Sequence, residues 1–389
     1  MPTITRLRPP LLLALILLVV GTLAGCGTAK TQNASCPAPD GLVLVVGVHQ
    51  NIQAPGIPES VGCTLQSTIA AKKPVVFIAV DGTPRMVLAT TFPVTDVNPD
   101  AHAADLNAAA ATVVNAVTSA TPKSNGSNIL AGISMGADEA KAQGAPNAAI
   151  VVIDSGLSDT GALDMTTPGM LAAQPDQVAW FLATHNNLPD LAGHTVNLVG
   201  FGYTTTPQTP VSQAAQTNTI AIWTALLQKA GSTVTTTPAV RTGEGPTTSF
   251  TTRTVAAPEE TPMAFASTTT VYDDAGSLGF QSNSNDLRDP EAADRTLAPL
   301  AGWLVADPAR TAHITGTTSS DGTAEGRAQR SLGRAETIKA ILISHGAAAH
   351  QISVEGAGYT ADPPDHTAGG DIDPAAAAQN RTVRITTAS

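Results

Sequence analysis

Four unbroken apolar runs set the main constraint on this chain: LVLVVGV at 42–48, VVFIAV at 75–80, AIVVID at 149–154 and VNLVGFG at 196–202. A strand with one solvated face alternates apolar and polar residues. A run without alternation is buried on both faces, as in a parallel sheet covered by helices. Helical patterns lie between and after the runs. DAHAADLNAAAATVVNAV (100–117) is Ala-rich with an apolar stripe. PDQVAWFLATHNN (175–187) opens on Pro175, suited to a first helical turn, and VSQAAQTNTIAIWTALLQKAG (211–231) closes on Gly231, suited to a C-cap. Strand and helix in alternation predict a doubly wound α/β domain with a parallel sheet over residues 41–240. The Thr- and Pro-rich stretch from about 232 to 265 holds at most one more strand, and 241–265 is expected as linker and 266–389 as a second domain. With only 3% aromatic residues, both cores must be built from Ala, Val, Ile and Leu.

The first 25 residues are of another kind. Arg6 and Arg8 precede an apolar run from Leu11 to Val20, and small residues lead to Cys26. This is the pattern of a secretory signal, too short for a permanent membrane span. Leu23-Ala24-Gly25-Cys26 resembles the lipobox of bacterial lipoproteins. That resemblance implies that the Cys26 thiol carries fatty acid of the palmitate kind and begins the mature protein, with residues 26–40 as a tether. The other reading is a plain signal peptide with a chance cysteine. Acyl chains contribute about 0.8 kcal/mol per buried CH₂, so two or three hold a protein firmly on a bilayer. If Cys26 is acylated, Cys36 and Cys63 remain, as a disulfide favoured by export or as two free thiols. Loss of residues 1–25 removes two arginines and no acid, moving the formal charge from −11 to −13. That balance excludes nucleic acid as an expected partner.

Gly132-Ile133-Ser134-Met135-Gly136 has the G-x-S-x-G form of a hydrolase nucleophile elbow, which makes an exported serine esterase the alternative function. An elbow needs a strand before the serine and a helix after it. SNGSN precedes this stretch as a loop, with Ser127 or Asn128 a natural N-cap, and Ile129, Ile133, Ala137 and Ala140 share one helical face. No histidine follows the last strong strand until His313, in the second domain; His185 and His194 both precede that strand. Ser134 is therefore expected within a helix, and no catalytic residue is assigned.

The run SNILAGISMGADEAKAQGAPNAAIVVIDSGLSDTG, with LAGHTVNLVGFGY and IAIWTALLQKAG after it, resembles a von Willebrand factor A-type domain. Many such domains hold Mg²⁺ through D-x-S-x-S after the first strand. This sequence has Gly47, His49 and Asn51 at those places, and Ser155 at a further Asp, with Asp154 one position earlier. A hard cation needs carboxylate oxygen, so no metal and no cofactor are expected. The carboxyl-end loops His49–Asn51, Asp81, Asp154–Ser158 and Tyr203–Thr205 remain as a place for an unknown protein partner.

From about 268 to 387 the sequence resembles the OmpA-like peptidoglycan-binding domain. The marks are LGFQSNSNDL with a short strand near Phe280, a loop led by Gly316, RSLGRA (330–335), GAG after a strand, and NRTVRI. The resemblance implies a small α/β sandwich, two helices on one mixed sheet. It also implies that Arg334 grips a carboxylate of the peptide stem, as a guanidinium fork does bidentately. Ser319 stands where the family has the Asp that holds the ligand's ammonium. Asp321 lies two residues on, and Arg327 replaces the usual Asn. Asn380 and Arg381 either line the same cleft or cap and pair within the sheet, and Arg334 has the alternative of a surface pair with Glu336 or Asp321. The acidic insert TADPPDHTAGGDIDP (360–374), with His366, is expected as a solvated loop. Together these features predict a non-catalytic, lipid-anchored envelope protein whose ligand-binding residues are Ser319, Asp321, Arg334, Asn380 and Arg381.

Overall fold

The computed structural model describes residues 36–95, 98–239, 243–256, 262, 265 and 268–389. Cys26 and the signal segment lie outside the described residues. The first sheet contains β1 (Leu42–Gly47), β2 (Val75–Val80), β3 (Arg85–Thr90), β4 (Ala149–Ile153), β5 (Thr195–Val199) and β6 (Thr233–Thr237). Their spatial order is β3-β2-β1-β4-β5-β6. Every neighbouring pair is parallel except β2 with β3. All residues of β1 and β2 are buried, which is why those runs do not alternate.

Helices α1 (Glu59–Ala70) and α2 (Pro99–Thr118) cover one face, setting Leu65, Ile69, Val113 and Val117 against Leu42, Leu44 and Phe77. On the other face α3 (Ile129–Ala142), α4 (Pro175–Thr184) and α5 (Gln213–Lys229) pack on Val43, Val45 and Ile78. The sheet is thus doubly wound, as expected. Three helix starts are fixed by side-chain caps: Asn98 accepts from Ala101 N, Asn128 from Ala131 N and Ser212 from Ala215 N. Cys36 and Cys63 are joined as a disulfide, 27 residues apart, tying the segment before β1 to α1. On the chain-entropy account such a loop stabilises the fold by about 3 kcal/mol.

The G-x-S-x-G stretch is a packing motif. A Cβ at Gly132 would stand 2.7 Å from Val80, and one at Gly136 2.6 Å from Val43. The two glycines let α3 lie close on β1 and β2. Ser134 points the other way, into a surface depression lined also by Met135, Asp138 and Asn187 and by no histidine. His185 bonds to Phe181 O and His194 to Ala148 O. The serine sits within a helix, as expected.

Residues 243–256 fall in the expected linker, yet they are bonded across the carboxyl ends of the strands. Asn51 Nδ2 donates to Arg253 O at 2.9 Å, Arg253 N to Asp159 Oδ2 at 2.7 Å, and Gly126 N to Thr251 O at 2.9 Å. Gln208 pairs with both backbone groups of Val255.

The second sheet contains β7 (Thr269–Asp273), β8 (Thr311–Thr317), β9 (Ile352–Gly358) and β10 (Thr382–Ala388), in the order β7-β10-β8-β9. β10 runs antiparallel to β7 and β8, and β8 parallel to β9. Helices α6 (Pro290–Val305) and α7 (Ala324–Ser344) close the core with Leu297, Leu300, Leu304, Ile338 and Leu342 over Ile314 and Ile385. A short α8 (Pro374–Gln379) precedes β10. The strand expected near Phe280 is instead an isolated bridge from Phe280 to Leu287. The first strand of this sheet is β7, whose alternation buries Thr270 and Tyr272.

Candidate functional site

Two glycines place the helix that carries Arg334. Gly316 of β8 and Gly356 of β9 are register partners. A Cβ at Gly316 would meet Ser331 O at 2.2 Å, and one at Gly356 would meet Ala328 O at 2.5 Å. Without side chains at these points, α7 lies close against the sheet, and Ser331 Oγ accepts from Gly358 N at 3.0 Å. One turn on, Arg334 flanks Ile338 and Leu342 and is only 4% exposed. Its guanidinium carbon lies 5.0 Å from the centre of the Phe280 ring, and its Nε is 3.4 Å from Ser284 O. Its two terminal nitrogens have no acceptor among the described residues and face a cleft of about 300 Å³.

Arg327, Arg330, Arg334 and Arg381 line this cleft, with Asp321 as its one carboxylate. Ser319 and Thr318 lie in its wall, and the Thr318 hydroxyl is buried with no partner among the described residues. Arg381 is 2% exposed, and its Nη1 is also buried without an acceptor. Burial brings the Arg334 guanidinium down to about 10, with Arg381, Arg330 and Arg288 acting in the same direction and Asp274 against them. It therefore keeps its charge at neutral pH. Buried cations facing open space with donors unspent form an anion site.

Beneath the cleft lies Asp274, just after β7 and fully buried in this arginine cluster. Arg381 Nε reaches its Oδ2 at 2.8 Å and Arg288 Nη2 at 3.0 Å, and Phe280 N donates to Oδ1 at 3.1 Å. Burial alone would raise its pKa, but Arg288, Arg381 and Arg334 hold it below the ordinary aspartate value. Neither Asp274 nor Arg288 belongs to any local motif, so only the fold reveals their part in the site.

The loop after β8 is held from two sides. Arg327 Nη1 donates to Ser320 O at 2.8 Å and Gly322 O at 2.6 Å, and Asp365 Oδ2 accepts from Ser320 N at 2.8 Å. Arg327, where the resemblance has Asn, thus shapes the loop. Asp365 departs from the expected solvated insert: it is fully buried. Of the five expected ligand-binding residues, Ser319, Asp321, Arg334 and Arg381 come together in the cleft. Asn380 does not; its Nδ2 donates to Pro363 O at 2.7 Å and fastens the insert.

The first domain supplies one wall. The turn Met170–Ala172 is held by Asn218 of α5, which donates to Leu171 O and Ala173 O. From the other side Arg288 and Arg381 both donate to Ala172 O, at 3.2 and 3.4 Å. Gln174 follows at the cleft's edge.

The carboxyl-end loops expected to receive a partner are engaged within the chain. Asp154 Oδ2 lies 3.1 Å from His49 Nε2, and its Oδ1 accepts from Ser155 N at 2.6 Å. A side chain at Gly47 would meet Asp154 Oδ2 at 2.3 Å. Residues 243–256 lie over these loops, and His49, Asn51, Asp81, Ser155 and Ser158 are all buried.

Residues 279–376 match the model of the OmpA family. The second domain is therefore OmpA-like, and the match includes Ser319, Asp321 and Arg334 but not Asp274 or Arg381. Similar solved structures include the peptidoglycan-associated lipoprotein from Burkholderia pseudomallei, at 25% identity over 28% of this chain and 86% of that one, with a TM-score of 0.24. The periplasmic domain of Helicobacter pylori MotB is 16% identical over 31% of this chain and 81% of its own, at 0.24. The OmpA-like domain of FopA1 from Francisella tularensis is 16% identical over 31% and 71%, at 0.23. No curated protein matches the chain. No helix among the described residues is long and apolar enough to cross a membrane.

Proposed function

We propose that this protein is a non-catalytic envelope lipoprotein that ties a membrane to peptidoglycan. Acylated Cys26 holds the bilayer, and the OmpA-like domain takes the peptide stem. The observation that carries the wall half is the cleft itself: Arg334, only 4% exposed, brings terminal nitrogens without an acceptor among the described residues to a recess that Arg381 also lines, inside an OmpA-like domain. A stem carboxylate supplies the acceptors that the protein withholds. Asp321 on the rim offers a partner to the ammonium of a diamino acid, in place of the carboxylate absent at Ser319. The disulfide between Cys36 and Cys63 supports export.

Two measurements test the two halves. Titration of the protein lacking residues 1–25 with a soluble diaminopimelate-containing stem peptide is expected to give saturable binding that weakens as salt rises. Absence of binding at millimolar peptide rejects wall recognition. Metabolic labelling with a palmitate analogue is expected to tag the native protein and spare the Cys26→Ser variant. An untagged native protein rejects the anchor.

A further inference from the structure

A second groove opens from the arginine cleft. The two share Gln174, Asn283 and Asp321 in their walls. The second has a volume of about 500 Å³ and is built by both domains: Gln177 and Trp180 of α4 face Asp321 and the 366–372 part of the insert. His185, just past α4, lies 3.8 Å from Asp371 and sets the insert opposite that helix.

Three side chains of this groove keep an open apolar face or an unpaired amide group. The indole of Trp180 is 48% exposed, although a large apolar ring is normally buried. Gln174 is only 8% exposed, sits at the N-cap of α4 without capping it, and has no side-chain partner among the described residues. Gln177 donates to Asp321 Oδ2 at 3.2 Å, while its own Oε1 has no donor among the described residues. An open aromatic face flanked by amides and carboxylates suits a ligand with an apolar face and a rim of hydroxyl and amide groups. A pyranose ring answers that description: its C–H face packs on an indole, and its hydroxyls and acetamide pair with Gln, Asn and Asp side chains.

We propose that the Trp180 groove is a glycan subsite, which takes an N-acetylated amino sugar while the arginine cleft holds the peptide attached to that sugar. This rests on the stem-binding reading of the cleft. The covalent order of the ligand matches the continuity of the two recesses, because in peptidoglycan the stem grows from the lactyl group of the sugar. The first domain acquires a role as one wall of a composite site, and the insert as the other.

The test compares two probes on the protein lacking residues 1–25: a disaccharide–peptide fragment of peptidoglycan, and the same peptide released from its sugars. The disaccharide–peptide is expected to bind about three- to tenfold more tightly and to change the tryptophan emission. In Trp180→Ala the two probes become equal, while affinity for the free peptide stays at the native value. Equal binding of both probes to the native protein overturns the subsite and leaves the stem reading intact. A sugar preference that survives in Trp180→Ala also overturns it. If neither probe binds, the stem reading and the subsite fall together. Trp180 is exposed, so the variant keeps the native melting temperature.

Discussion

Replacing Asp274 with alanine is expected to cost about 3–5 kcal/mol of stability, because it leaves buried cations without their counter-charge. Asp274 is the point on which Arg288 and Arg381 converge, each at 3.0 Å or less, and the two arginines also hold Ala172 O of the first domain. Its loss leaves the Arg288, Arg381 and Arg334 guanidiniums close together without a counter-charge. The exposed pair Arg295–Glu291, at 3.8 Å, is the control: Glu291→Ala is expected to change stability by less than about 1 kcal/mol. Urea midpoints of the three proteins measure the difference. pH adds an independent check. The folded-state pKa of Asp274 lies below its ordinary value. Its contribution is therefore fully present above the unfolded value of about 4 and disappears as pH falls through the folded one. The gap between native protein and Asp274→Ala should be widest near neutrality and narrow in acid below about pH 4.

Arg334→Ala is expected to weaken stem-peptide binding by roughly 10- to 100-fold, the worth of a charge-assisted hydrogen bond in a buried site. Arg334→Lys should recover little of this. A lysine ammonium is a point donor, whereas the cleft holds a planar fork already fixed by the Phe280 ring and Ser284 O. The folded state should tolerate both changes, since burial and neighbouring arginines already oppose the charge at this position. Affinity that is equal in all three proteins would move the carboxylate to Arg330 or Arg381.

Much of this arrangement was legible in the sequence, and the exceptions share a cause. β1, β2, β4 and β5 were visible because burial on both faces demands unbroken apolar runs. α7 was visible because Arg334 stands one turn before Ile338 in a family pattern. Gly316 and Gly356 were visible only as family marks, expected in a loop and after a strand; both lie within strands, β8 and β9, where α7 presses on them. β3 gave no signal: it is a half-exposed edge strand whose residues, RMVLAT, neither alternate nor form a fully buried run. β6, TVTTT, was allowed for only as one possible strand in a linker-like stretch, because its threonines are mostly exposed. Residues 243–256 dock largely through backbone groups, which leave no mark in side-chain identity. Asp274 and Arg381 lie 107 positions apart and meet only in the fold. The same holds for the groove under Trp180, which needs both domains in place.

Sedimentation of the mature protein with purified, protein-free sacculi measures wall attachment itself. The expected result is that the native protein pellets with the wall, stays in the supernatant without it, and is released by excess soluble stem peptide. Arg334→Ala should remain largely in the supernatant. Native protein that stays soluble beside intact sacculi, at low salt and neutral pH, would contradict the account.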